Sequence, residues 1–198
     1  MKKNIFAAVA VLAFGFANAQ EVKFGAKVAL NVASVTGDVE DPSSYIGFQI
    51  GGFAEFKLSE KFAIQPELMY SAQGGKESGE IEDGFDADFT HKLGYINIPI
   101  MAKYYVAKSF SLEVGPQIGF LTSAKGKIEA EGESVEVDMK DFYNSVDFGV
   151  NFGAGYDFTE KLSAGLRYNL GLSNIADFEG EDFTVKNGVF SVSVGYKF

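Results

Sequence analysis

Eight stretches of this chain alternate apolar and polar residues with a period of two: 24–32, 48–58, 62–70, 96–106, 110–120, 146–158, 162–172 and 190–198. In each, one parity is apolar. The sixth reads Val146, Phe148, Val150, Phe152, Ala154, Tyr156, Phe158, and the last reads Phe190, Val192, Val194, Tyr196, Phe198. Together the apolar parities hold 46 positions and no charged residue. On a helix this spacing would spread apolar side chains around the whole circumference, so each stretch is predicted to be a strand with one apolar face. The connections alternate in length. Three are tight, around Ser59-Glu60-Lys61, Ala107-Lys108-Ser109 and Thr159-Glu160-Lys161; four are long, at 33–44, 74–92, 122–145 and 173–188. Two tight turns share a pattern, Leu58-Ser59-Glu60-Lys61-Phe62 and Phe158-Thr159-Glu160-Lys161-Leu162, which marks a hairpin repeat. The predicted fold is all-β, an eight-stranded antiparallel up-and-down barrel. Short turns on one rim and long loops on the other are the layout of a transmembrane barrel in a bacterial outer membrane. There the short turns are periplasmic, the long loops are extracellular, and both termini lie on the periplasmic rim.

The period alone does not say which face turns inward. A soluble, lipocalin-like periplasmic barrel carrying a small apolar ligand shows the same alternation with its apolar face inside. The polar parity decides between the two. In the sixth stretch it reads Asp147, Gly149, Asn151, Gly153, Gly155, Asp157, and in the seventh it includes Ser163, Gly165, Arg167, Asn169 and Gly171. Glycine on a solvated strand face packs nothing and weakens the strand, whereas inside a narrow barrel it makes room for longer side chains opposite. The same parity carries Lys23, Lys27, Lys57, Lys103, Arg167 and Lys197 against Glu55, Glu67, Glu113, Asp147 and Asp157. This near-balance suits an enclosed interior, where an unpaired charge is costly. The uncharged apolar parity suits lipid, since one Lys or Arg near the midplane costs ~2–4 kcal/mol. An eight-stranded barrel is just filled by its own side chains, so a plugged lumen is expected rather than an open pore, with the internal charges forming a structural salt-bridge network. Pro66, Pro99 and Pro116 fall within predicted strands that have no free edge, and a bulge or local break is expected at some of them.

The N-terminus adds a compartment. Met1-Lys2-Lys3 precedes a short apolar run, Ile5 to Phe14, and then Ala17-Asn18-Ala19. These are the parts of a secretory signal peptide, with cleavage expected before Gln20, giving a signal at 1–19 and a single barrel domain at 20–198. The apolar run is too short for a bilayer helix, which needs ~20 residues. With no cysteine, neither disulfides nor thiolate metal sites are available, and a net charge of −10 speaks against nucleic acid. The acid is concentrated: residues 33–44, 74–90, 122–145 and 173–188 hold 19 of the 27 acidic side chains and only 5 basic ones. That composition reads first as a solvated rim and second as a surface for cations or a basic partner. Glu80-Ile81-Glu82-Asp83-Gly84 lacks the ligand spacing of a calcium loop. The one histidine, His91, has no serine placed beside it by sequence, and Asp88 is only a loop neighbour, so an outer-membrane lipid-modifying hydrolase finds little support. No catalytic, cofactor-binding or metal-ligating residue is expected.

Two strand segments carry a resemblance. Gln65-Pro66-Glu67-Leu68-Met69-Tyr70 and Tyr95-Ile96-Asn97-Ile98-Pro99-Ile100-Met101-Ala102-Lys103-Tyr104-Tyr105 resemble the PorT-like outer-membrane β-barrel family, and the likeness extends over essentially the whole mature chain. The closing Val194-Gly195-Tyr196-Lys197-Phe198 is similar to the terminal strand of outer-membrane barrels generally. The resemblance implies an outer-membrane barrel of OmpA/OmpX-type architecture in which prolines at these strand positions are tolerated. It also implies that the barrel-assembly machinery reads the last strand, ending in Phe198. It implies no activity and assigns no residue a role in secretion. The expected partners are therefore outer-membrane lipid and the assembly machinery, with the chain a non-enzymatic monomer in a structural or surface-interaction role.

Overall fold

The computed structural model describes residues 21–39, 43–80, 86–130, 133–177 and 183–198. The expected signal segment, its cleavage site before Gln20 and residues 81–84 of the acidic stretch lie outside them. The strands are β1 (Glu21–Gly37), β2 (Ser43–Lys57), β3 (Phe62–Glu80), β4 (Asp86–Ala107), β5 (Phe110–Ala130), β6 (Glu133–Asp138), β7 (Val146–Asp157), β8 (Leu162–Gly171) and β9 (Val185–Lys197). Each pairs antiparallel with the next, except that β5 pairs with both β6 and β7. The pairing of β9 with β1, with Lys27 opposite Gly195 and Asn31 opposite Ser191, closes the ring. Eight strands form the barrel, and β6 is a short addition that pairs only with the outer end of β5.

The strands run well past the alternating stretches on the long-connection side. β3 continues to Glu80, β4 starts at Asp86 and β5 reaches Ala130, so much of 74–92 and 122–145 is itself hairpin. Backbone N–H and C=O groups need partners whatever the side chains are, and the ladder goes on supplying them after the side-chain alternation has stopped. A bulge between Gly94 and Tyr95 on β4, opposite Leu121 and Ser123, inserts Thr122 and shifts the inward parity of β5 for its outer half. Gly74 holds φ +145° with the His91 carbonyl oxygen where a Cβ would stand, so only glycine fits there.

The prolines cause ladder gaps without shifting register. The β2–β3 pairing lapses where Pro66 faces Ala54, the β3–β4 pairing where Pro99 faces Glu67, and the β4–β5 pairing where Pro116 faces Ile100, and each resumes in the same register. An interior residue of an antiparallel strand directs its N–H and C=O at one neighbour only, so each proline opens one side and leaves the other paired. The expected local breaks are present, and the bulges lie elsewhere.

The faces are sorted completely. None of the 46 apolar-parity positions is buried, and none of the eleven charged residues assigned to the other parity is exposed. Phe148, Phe152 and Val194 keep 53%, 50% and 50% of their surface accessible on the outside. Exposed aromatic rings gather toward the short-turn rim at Phe24, Tyr104, Phe110, Tyr156, Phe158, Tyr196 and Phe198, and again higher up at Phe48, Tyr70, Phe120, Phe148, Tyr168 and Phe190. From Phe148 on β7 to Phe158, one residue past its end, the two sets are ten residues apart. At ~3.3 Å per residue and the usual strand tilt, that is an apolar band of roughly 25 Å between aromatic girdles. Glycines create the inner volume: a Cβ on Gly155 would meet the Glu113 carboxylate at 2.8 Å, and one on Gly25 would run into the Phe53 ring.

Candidate functional site: the lumen

The inside of the barrel has three storeys. Nearest the short turns lies a single file of alternating charges. Lys27 Nζ is 2.6 Å from Glu67, Glu67 is 2.8 Å from Arg167, and Arg167 is 3.0 Å from Glu113. Glu113 is 3.4 Å from Lys103, Lys103 is 2.9 Å from Glu55, and Glu55 is 3.2 Å from Lys197, which ends the file on Asp157 at 3.2 Å. Four cations and four carboxylates therefore neutralise one another along one path. The guanidinium of Arg167 donates to both oxygens of Glu67 and to Glu113, the bidentate geometry that suits arginine. Two polar residues and one ring complete the file, all on the inward parity. Gln65 donates to Glu67 (2.7 Å) and accepts from Lys103 (3.2 Å), the Tyr105 hydroxyl donates to Glu55 (3.0 Å), and Phe53 lies under the Lys27 ammonium. Their role was hidden in the sequence because none of the three is an ion; only their parity marks them.

Above the ions comes a layer of amides and hydroxyls. Asn31 donates to Ser71 (3.2 Å) and accepts from Ser191 (3.0 Å), while Asn169 donates to Asn151, which donates to Gln117. Asp147, grouped by parity with the lumen charges, stands at this level apart from the file and accepts from Ser173 (2.7 Å) and Asn187 (2.8 Å). The third storey is apolar. Val35, Leu93, Tyr95, Leu121, Ala124, Ile175, Ala176 and Val185 form a buried cluster at the long-connection end, with Val39, Tyr143 and Phe183 packed against it. Asn144 and Asn174 pin the connections that carry it: Asn144 donates to the Asn174 and Ala176 carbonyls, and Asn174 donates to that of Phe183.

The expected plugged lumen is thus filled at every level. A gap of about 20 Å³ beside Lys27, Glu113 and Arg167 leaves room for a water molecule. The soluble-carrier alternative required an apolar lumen and is not favoured: ions and amides fill the interior below the apolar cap, and the apolar strand face is outside. Two charges expected inside, Lys23 and Lys57, line a wider recess of about 270 Å³ at the short-turn rim, where the Lys57 ammonium sits over the Tyr105 ring.

His91 lies on the β4 extension, outside the apolar band. Its Nδ1 is hydrogen-bonded to the Tyr143 hydroxyl and its ring meets Phe89 edge-on at 4.4 Å between centroids. Burial lowers its pKa below the ordinary 6.5. On the outer surface of the same sheet Glu136 pairs with Lys92 (2.5 Å) and Lys125 (3.5 Å), so part of the acidic region is locally compensated; these hydrogen bonds and charges hold the Glu136 carboxyl below its usual range.

An inside-out barrel of this girth already points to one protein class. Residues 16–177 match the family model described as outer membrane protein beta-barrel domain. The chain belongs to that family. Among solved structures, this outer-membrane barrel is similar to Neisserial surface protein A, at 13% identity and a TM-score of 0.54, covering 90% of this chain and 100% of the other. It is also similar to a major outer membrane protein from Thermus thermophilus, at 10% identity and a TM-score of 0.50, with the same coverage of both chains. At these identities both likenesses speak to the fold. No curated protein matches the chain in sequence. An integral outer-membrane barrel with a side-chain-filled lumen and acidic extracellular connections is therefore what the residues build.

Proposed function

We propose that this outer-membrane barrel is non-enzymatic and serves a structural or surface-interaction role, presenting the acidic β3–β4 and β5–β6 hairpins to the outside. The observation that carries this reading is the division of side chains: lipid-facing apolar residues on every strand, and a lumen spent on mutual neutralisation. A reaction needs polar groups left over to meet a substrate, and the eight ions of the file are engaged with each other. His91 is engaged by Tyr143 and Phe89. The finer family placement, PorT-like, rests on the Gln65–Tyr70 and Tyr95–Tyr105 words. The export route follows from the signal features before Gln20, leaving residues 20–198 as one domain. Outer-membrane lipid and the barrel-assembly machinery, through the strand ending in Phe198, are the proposed partners, with no nucleic acid, and the barrel is proposed to act as a monomer.

Cell fractionation with protease shaving of intact cells tests this. The protein should enter the outer-membrane fraction, need detergent for extraction and migrate differently on gels before and after heating. Cleavage confined to 74–92 and 122–145 supports outward hairpins. A freely soluble mature protein, or cleavage at 58–61 or 158–161 in intact cells, overturns the reading.

A further inference from the structure

The recess at the short-turn rim opens beyond the end of the charge file and shares its last members. It holds about 270 Å³ and is lined by Lys23, Lys57, Lys108 and Lys197, by Glu55, Asp157 and Glu160, and by Ser109 and Thr159. Its deeper carboxylates are committed: Glu55 to Lys103 and Lys197, and Asp157 to Lys197. Outside those pairs the lining sets the ammonium groups of Lys57 and Lys108 against the single carboxylate of Glu160. Lys57 is held across the Tyr105 ring, and Lys108 stands exposed on its turn. The Thr159 oxygen accepts from the Lys161 and Leu162 amides, which leaves its hydroxyl proton to donate. The opposite end of the barrel is closed by the apolar cap and ringed by acid, so an anion can approach this recess from the periplasm alone.

We infer that the recess is an anion site for a phosphate group presented on the periplasmic side. Lysine binds phosphate as a point charge on a flexible stem, and several such charges can reach oxygens that diverge from one phosphorus. Lysines alone supply the charge here, because the only arginine of the chain, Arg167, is held by Glu67 and Glu113. The phosphate could belong to a small periplasmic molecule or to the headgroup of an inner-leaflet lipid; both present the same oxygens.

The test places the folded barrel in dodecyl maltoside micelles, which carry no phosphate, and follows backbone amide resonances of Lys108, Ser109, Thr159 and Glu160 at low ionic strength. One arm titrates inorganic phosphate and glycerol 3-phosphate. The other replaces part of the detergent with phosphatidylglycerol and adds no soluble phosphate. Saturable shifts at these amides in the first arm identify a soluble ligand, and shifts in the second alone identify a headgroup. In either case Lys57→Gln and Lys108→Gln should each weaken binding about tenfold, the loss expected for one charge-assisted contact. Lys108→Gln touches only an exposed turn, and retained heat-modifiable mobility confirms that each variant is folded. Absence of saturable shifts in both arms overturns the inference. So do shifts that persist unchanged in both variants, or equal shifts at Lys125 and Glu136, which would mark general ionic binding.

Discussion

Glu67 is the position where the lumen file is most open to challenge. Its side chain is fully buried and accepts from Lys27 (2.6 Å), from Gln65 (2.7 Å) and twice from Arg167 (2.8 and 2.9 Å). Glu67→Gln keeps the shape, removes the charge, and leaves Lys27 stranded at the end of the file with no carboxylate within the contacts described. Removing one partner of a buried pair costs ~3–5 kcal/mol, because the remaining charge stays desolvated. Asp157 sits at the other end, beside the open recess, with 21% of its side chain exposed. Asp157→Asn should therefore cost only about 1 kcal/mol, because Lys197 keeps Glu55 and the recess admits water. The charge sum gives a second handle. Adding Lys27→Met to Glu67→Gln leaves Arg167, Lys103 and Lys197 against Glu113, Glu55 and Asp157, a neutral file again. The double variant should recover much of the loss. The assay is guanidinium unfolding in lipid vesicles, with the folded fraction read from the unheated gel mobility. If Glu67→Gln loses no more than Asp157→Asn, or if Lys27→Met deepens its loss, the lumen is hydrated and the file is not a buried network.

Other outcomes follow from the remaining layers. Phe152→Lys places a charge in the middle of the apolar band and should cost ~2–4 kcal/mol in the same unfolding assay, against nearly nothing for Phe152→Leu. Ile175→Ala opens a cavity in the cap, where the side chain is fully buried; a core truncation of this kind costs ~2–5 kcal/mol, read as faster protease cleavage of the outer hairpins with the barrel still folded. Because burial holds the native His91 pKa below 6.5, the loosened hairpin takes up a proton more readily than the packed one. The penalty is absent at neutral pH, appears as pH falls through 6.5, and is complete below the lowered native value. Protection factors at residues 89–93, which correct the exchange rates for the intrinsic slowing with falling pH, should therefore drop on mild acidification and lose that dependence in His91→Gln.

The sequence was most legible where lipid writes it. A period of two without charges is a demand of the bilayer on every second side chain, and the glycines and balanced charges of the other parity then assign Phe148, Phe152 and Val194 to the outside. Where lipid ends, so does the code. Residues 74–80 and 86–92 carry glycine and acid in no regular order, yet they pair as strands because the backbone still needs partners. The lumen ions were legible as a set, since they share a parity and nearly balance. Their connections were not, because partner choice depends on strand stagger: Glu67 and Arg167 meet across 100 residues of chain. The cap was invisible for a related reason. Val35, Leu93, Leu121, Ile175 and Val185 are separate apolar residues in the long connections or one residue outside them, and only closure of the barrel brings them together.

The absence of cysteine makes one measurement direct. Single substitutions Phe148→Cys, Phe152→Cys and Asn151→Cys on β7, each carrying a nitroxide, can be compared in lipid bilayers for collision with oxygen and with a water-soluble nickel complex. If lipid wets the apolar face, the labels at 148 and 152 collide with oxygen and are shielded from nickel, and the label at 151 is shielded from both by the packed lumen. Ready access of nickel to 148 and 152, with 151 the oxygen-rich position, would contradict the inside-out barrel.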